Sequence, residues 1–159
     1  MRATLTPHRA FLETDLLPRW AKAFGPDAVV LNIGAGSRPY REHFVCTMRT
    51  SDKRAEVGCD ETFPVEAIPY PDGSVDGLLC VGVVERLDDP MHALRECRRV
   101  LKPGGTLLLG IAGIDGEWHA ARDRWRLTPG GMAHLVQGFL VLEERQFGRT
   151  YAFYVVTPS

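Results

Sequence analysis

Ala28–Ile33, AVVLNI, is apolar apart from one asparagine and runs straight into Gly34-Ala35-Gly36. A short, continuous, valine-rich run bounded by glycine is the pattern of a strand buried on both faces. Strands of that kind belong to parallel sheets, and parallel pairs need helical crossovers that cover the faces. This one run therefore points to an α/β architecture, and the rest of the chain supplies the alternation. Phe44–Thr50, Gly77–Gly82 and Thr106–Ala112 read as further strands, and Phe139–Phe147 with Tyr151–Thr157 as a hairpin around Gly148-Arg149. Phe11, Leu12, Leu16, Leu17, Trp20 and Phe24 recur at helical spacing, which predicts a leading amphipathic helix bent or split at Pro18. Asp89-Pro90 opens a second helix, an N-cap followed by proline, and Lys102-Pro103-Gly104-Gly105 stops it. Thr128-Pro129 opens a third, running to about Gln137-Gly138.

At 159 residues and 45% apolar content, the chain suits one globular domain, with residues 1–25 as a helical cap on a core at 28–157. Its 19 basic and 20 acidic residues are interspersed and leave a formal net charge of -1. That balance offers no electrostatic footprint for nucleic acid or an anionic membrane, so a small-molecule partner is expected. Cys46, Cys59, Cys80 and Cys97 are widely separated and form no CxxC pair. Such spacing suits neither a metal site nor disulfides, and the four read as buried thiols in a reducing cytoplasm. Charged residues such as Arg9, Glu13 and Asp15 interrupt the amino-terminal apolar residues, and no apolar run approaches about 18 residues, so a cytoplasmic protein is expected.

The glycine turn limits the ligand. A dinucleotide fingerprint needs a third glycine where Pro39 stands, and a Walker loop needs a G-K-[ST] that Ser37-Arg38-Pro39 does not provide. A phosphate-free nucleoside joined to a zwitterionic amino acid needs only close backbone approach at Gly34 and Gly36, and S-adenosylmethionine is such a ligand. Its ribose requires an acidic acceptor at the end of the second strand, and Asp52 stands about there. The plainer reading of Asp52 is a solvated carboxylate beside Ser51 and Lys53.

Residues 67–113 read AIPYPDGSVDGLLCVGVVERLDDPMHALRECRRVLKPGGTLLLGIAG. This stretch resembles the class I S-adenosylmethionine-dependent methyltransferases, whose pattern runs L-P-[FY]-x-D-x-S-[FV]-D, a strand, L-E-H, then a helix ending in R-V-L-K-P-G-G. DRWRLTPGGM, residues 123–132, is similar to a segment of one subgroup of that family. The resemblance implies a Rossmann-like, doubly wound seven-stranded sheet of order 3-2-1-4-5-7-6 with strand 7 antiparallel. It also implies S-adenosylmethionine as cofactor: Asn32, Gly34, Ala35 and Gly36 at its methionine end, Asp52 on the ribose, Glu66, Ala67 and Ile68 around the adenine, and Val81 and Gly82 beneath the sulfonium. The motif residues themselves, Pro71 to Ser74, Asp76 and Pro103 to Gly105, have the chemistry of turns and helix stops and are expected to shape the fold.

Three positions depart from the family pattern. Asn32 stands where an acid is usual, Arg86 replaces the histidine of L-E-H, and Pro64 occupies the usual adenine-side acid position, leaving Asp60, Glu61 or Glu66 for that task. Methyl transfer from a sulfonium chiefly requires alignment of the nucleophile, and a hydroxyl acceptor is further helped by a base. After the fifth strand His119 and Asp123 are the candidates, with Trp118 and Trp125 as an aromatic wall for the acceptor. A surface histidine, an Asp123–Arg126 ion pair and core tryptophans account for the same residues. The expected function is methylation of an oxygen or nitrogen on a small-molecule or carrier-bound acceptor, in a pocket that is open or completed by a second copy in a homodimer. Two alternatives remain: a regulatory domain with a degenerate cofactor site, and a cyclase or lyase on the same fold.

Overall fold

The computed structural model describes residues 6–37, 40–114 and 124–159. Among them, β1 (Val30–Ile33), β2 (Met48–Asp52), β3 (Glu61–Thr62), β4 (Val75–Val81), β5 (Leu101–Ala112), β6 (Phe139–Phe147) and β7 (Tyr151–Pro158) form one sheet. Its order is β3-β2-β1-β4-β5-β7-β6, as the resemblance implies. The first five strands pair in parallel, and β7 lies antiparallel between β5 and β6.

β1 is buried along its whole length because both faces of the sheet are covered. On one face Leu31 and Ile33 pack with Ala93, Leu94 and Cys97 of α3 (Pro90–Val100) and with Met132 and Leu135 of α4 (Pro129–Leu135). On the other face Val30, Leu79 and Leu108 meet Leu12, Leu16, Leu17, Trp20 and Phe24 of the amino-terminal helical segment. Each of the valine, leucine, isoleucine, methionine and phenylalanine side chains among them, fully buried, contributes about 1.5–3 kcal/mol before entropy is counted. Gly77 in β4 makes this packing fit, since a Cβ there would lie 2.5 Å from the Phe24 ring. Asp89 and Thr128 cap their helices as expected, accepting from the His92 and Gly131 N–H groups at 2.9 and 3.0 Å.

Several sequence expectations shift in detail. The amino-terminal segment runs from α1 (Pro7–Phe11) through a π-helical turn (Leu12–Leu16) into α2 (Leu17–Ala21). The helix is therefore interrupted in the turn just before Pro18, whose missing N–H and bulky ring leave the upstream Glu13 and Thr14 carbonyls without that donor. The second strand is Met48–Asp52 rather than Phe44–Thr50, because its register sets Met48 beside Val30 and carries Asp52 into the ladder opposite Thr62. β5 begins at Leu101 rather than Thr106: Leu101 pairs with Val75 and Thr106 with Gly77, so Lys102 to Gly105 form an excursion within the strand. α4 ends at Leu135, short of Gln137, and Gly138 at φ 88° turns the chain into β6.

The recognised motifs act as staples. Arg99 donates to the Ile68 and Tyr70 carbonyls, each at 2.9 Å, and to Asp72 at 2.7 Å. Lys102 holds the Asp76 carboxylate at 2.8 and 2.9 Å, and Asp76 also accepts the Val29 N–H at 2.9 Å. Burial tends to raise the Asp76 carboxyl, but the Lys102 ammonium and the Val29 N–H outweigh it and hold the group below the ordinary carboxylate range. Among the described residues, only single 3₁₀ turns, Arg41–His43 and Ala55–Val57, stand between β1 and β2 and between β2 and β3. No helix among the described residues is long and apolar enough to cross a membrane.

Candidate functional site

Parallel sheets leave a crevice beyond the carboxyl ends of their strands, beside the point where strand order reverses. Here β1 is the reversal, flanked by β2 and β4, and a cavity of about 440 Å³ opens there. Its floor is Ile33-Gly34 from β1 and Gly82-Val83 from β4. Asp52, Lys53 and Arg54, at and beyond the end of β2, form one wall. The stretch from Phe63 to Glu66 forms another, and Arg86, Leu87 and Arg124 complete the rim.

Of the two floor glycines, both at positive φ, Gly34 is the more crowded. It has φ 65°, and a Cβ there would run into Val83 Cγ2. The turn is tied to β2 twice: the Ala35 N–H donates to the Ser51 carbonyl at 3.0 Å, and the Gly36 N–H donates to the Asp52 carboxylate. Ala35 and Gly36 thus fix the wall without lining the cavity.

Asp52 is 5% exposed, which corrects the picture of a solvated loop carboxylate. Arg54 grips it, with Nε and N–H on Oδ1 at 3.0 Å each and Nη2 on Oδ2 at 3.1 Å. Burial by itself raises this carboxyl, but the Arg54 side-chain and backbone hydrogen bonds, the Arg54 charge and the Gly36 N–H outweigh it, so the group is held low and ionised. Glu66 stands in another wall, and its Oε2 is buried with no hydrogen-bond partner among the described residues. A buried carboxylate oxygen left without a donor is costly. An amine- or hydroxyl-bearing ligand would relieve it. Two acceptors on separate walls over a floor without a Cβ at Gly34 fit a nucleoside.

Of the residues expected at the cofactor, Gly34, Asp52, Glu66 and Gly82 line the cavity. Asn32 is buried within β1, Val81 packs toward the amino-terminal helices, Ile68 belongs to the core, and Ala67 is exposed outside the lining. Ile68 is drawn inward because the 68–70 backbone is held by Arg99 and its own N–H by Glu96 at 3.2 Å. Asp60 and Glu61 are committed elsewhere, Asp60 to Thr50 and Arg41, and Glu61 to Tyr70 at 2.7 Å. That leaves Glu66 as the acid facing the cavity. Cys59 is half-buried rather than buried.

His119, Asp123 and Trp118 lie outside the described residues. The chain re-enters at Arg124 and Trp125, whose N–H groups both donate to the Glu85 carbonyl at 3.0 Å. Trp125 Nε1 donates to the Leu87 carbonyl at 2.8 Å, which holds the indole against the turn after β4 but outside the cavity lining. Arg126 donates to the Gly113 carbonyl at 3.0 Å. Sequence reasoning missed Arg54, Lys53, Phe63 and Arg124. Tyr151 is outside the cavity lining, with its hydroxyl behind Gly82 and Gly110, where added Cβ atoms would come within 3.6 and 3.0 Å of it. An Asp-x-Arg spacing at a strand end was the available signal for Arg54; the others depend on how distant loops meet.

Residues 31–109, about half of the chain, match the methyltransferase domain family. The ubiquinone biosynthesis O-methyltransferase of Xanthomonas campestris is 46% identical over 72 residues, covering 39% of this chain and 28% of that protein. The chain spans about a third or less of the length of the curated relatives it matches. Among solved structures, the cyclase SpnF superposes with a TM-score of 0.77 over 99% of this chain and 83% of its own, at 16% identity. The 1,6-didemethyltoxoflavin-N1-methyltransferase of Burkholderia thailandensis, solved with bound 1,6-didemethyltoxoflavin and S-adenosylhomocysteine, gives a TM-score of 0.70 over 100% of this chain and 93% of its own, at 20% identity. With its strand order, its antiparallel β7 and this domain match, the chain belongs to the class I S-adenosylmethionine-dependent methyltransferase family.

Proposed function

We propose that this chain transfers a methyl group from S-adenosylmethionine to an oxygen or nitrogen atom of a small-molecule or carrier-bound acceptor, in the cytoplasm. The observation that carries this reading is the crevice with Asp52 and Glu66 on separate walls and bare main chain at Gly34 between them. Asp52 would accept the ribose hydroxyls, Glu66 an amine of the base, and the Gly34 backbone would lie along the methionine chain, with Gly82 beneath the reacting centre. When bound, the cofactor supplies a methyl group on a sulfur that is already a good leaving group. The chain therefore has to align the acceptor and exclude water, rather than carry out elaborate proton chemistry. For a hydroxyl acceptor, His119 and Asp123 are the proposed bases, worth roughly 10²–10⁴ in rate. A second copy of the chain is the proposed cover for the open side. The test is calorimetric titration with S-adenosylhomocysteine together with mass spectrometry of what co-purifies. Saturable one-to-one binding supports the reading, and no heat at millimolar ligand removes it.

A second reading has its own support. Arg54 already occupies the oxygens of Asp52, and Asn32 removes a charge that would attract an ammonium group, which suits a fold retained with weak cofactor binding. A cyclase or lyase rests on fold likeness to SpnF alone. It predicts that cofactor binds while no S-adenosylhomocysteine accumulates during turnover.

A further inference from the structure

The crevice carries more positive charge than a sulfonium nucleoside can use. Lys53, Arg54, Arg86 and Arg124 line it against Asp52 and Glu66. Arg54 is paired with Asp52, and Arg124 with Asp88. Arg86 makes no side-chain hydrogen bond or ion pair among the described residues. It closes the turn Val84–Arg86, directly after the Gly82 floor. The methionine sulfonium with its ammonium and carboxylate bears a net positive charge, so a further unpaired cation on this wall works against holding it. The same cation favours an anion bound alongside. A guanidinium presents paired N–H groups that match the oxygens of a carboxylate or phosphate, and a cleft wall focuses its field.

We propose that Arg86 determines acceptor specificity by gripping a carboxylate or phosphate group on the acceptor; this rests on the methyl-transfer reading above. Arg86 is exposed to solvent in the open crevice, so replacing it leaves the core intact. The test is a set of NMR titrations of the protein saturated with S-adenosylhomocysteine, using benzoate, its neutral isostere benzamide, and inorganic phosphate. Benzoate is expected to bind at least tenfold more tightly than benzamide. Arg86→Gln should reduce that preference to within twofold, and Arg86→Lys should retain part of it. A phosphate affinity that falls with Arg86→Gln while benzoate shows no preference assigns the subsite to phosphate-bearing acceptors; the reverse assigns it to carboxylates. The proposal is overturned if neither anion is preferred, if Arg86→Gln preserves the preference, or if Arg86→Gln weakens S-adenosylhomocysteine by the same factor, which would make the cofactor's own carboxylate the partner. Repeating the titrations without S-adenosylhomocysteine separates the two claims: a protein that never binds this compound yet shows Arg86-dependent anion preference loses the methyl-transfer reading and keeps the anion subsite.

Discussion

The two halves of the sheet are built differently. From β4 through β5 and β7 to β6 the strands run 7 to 12 residues, Arg99 and Lys102 staple the incoming loop, and α3 covers one face. From β1 to β3 they run 4, 5 and 2 residues, and 3₁₀ turns stand between them among the described residues. The long half carries the recognisable motifs and contributes the floor at Gly82 and the turn behind it. The short half contributes the Asp52 wall and, just beyond β3, the Phe63–Glu66 wall. The motif staples and the two carboxylate walls thus lie in different halves, and substitutions in the two halves should fail in different ways.

The largest effect is expected at Gly34→Val. A β-branched residue at φ 65° costs about 1–2 kcal/mol in backbone strain, and its collision with Val83 costs about 1–3 more. S-adenosylhomocysteine affinity should fall below detection by calorimetry, and thermal melts should show a lower midpoint. Asp52→Ala comes next. Losing a charged hydrogen-bond partner is worth about 1.5–3 kcal/mol, so affinity should drop roughly 10- to 150-fold while the fold survives. Retained affinity in both variants would place the ligand away from the short half.

Lys102→Met tests the long half. The Lys102 side chain is 42% exposed, so the pair is discounted to about 1 kcal/mol, a few degrees of melting temperature, with ligand affinity unchanged. The sign with pH follows from Asp76, whose carboxyl is held below its unfolded value. Its contribution is present above about pH 4 and is lost as pH falls through the folded value, so the wild type should converge on Lys102→Met in acid denaturant melts. Persistence of the gap at pH 2 would contradict this. The smallest effect on affinity is expected at Arg54→Ala, which frees the oxygens of the buried Asp52 carboxylate, at some cost in stability, by removing a partner whose own side chain is 43% exposed. Affinity for S-adenosylhomocysteine should rise up to about fivefold. A fall would show that Arg54 helps bind the ligand rather than capping its site.

The same division explains what could be read from the sequence. β1, β4, β7 and α3 were legible because burial on both faces, or a capped amphipathic face, writes a strong apolar pattern. β3 has two residues and no pattern, so only the family resemblance implied it. β2 was displaced because its residues, MRTSD, are largely polar and owe their burial to Arg54, Asp60 and the glycine turn rather than to apolar side chains. Gly34 and Asp52 were legible as a glycine turn and an acid at strand ends, and Glu66 and Gly82 through the family resemblance; all four line the cavity. Arg54 and the wall from Phe63 to Val65 were not legible, since loop residues meet the cavity through tertiary packing that no local spacing encodes. Arg86 stands out in the sequence as a departure from the family pattern, and only the fold puts it on the rim.

The most direct measurement is a crystal structure of the protein grown with saturating S-adenosylhomocysteine. Density is expected across the ends of β1, β2 and β4, with the ribose hydroxyls on Asp52 in place of Arg54, the base against Phe63 and Glu66, and the amino-acid end over Gly34. Ligand bound elsewhere, or the Asp52–Arg54 pair intact over a vacant crevice, would contradict it.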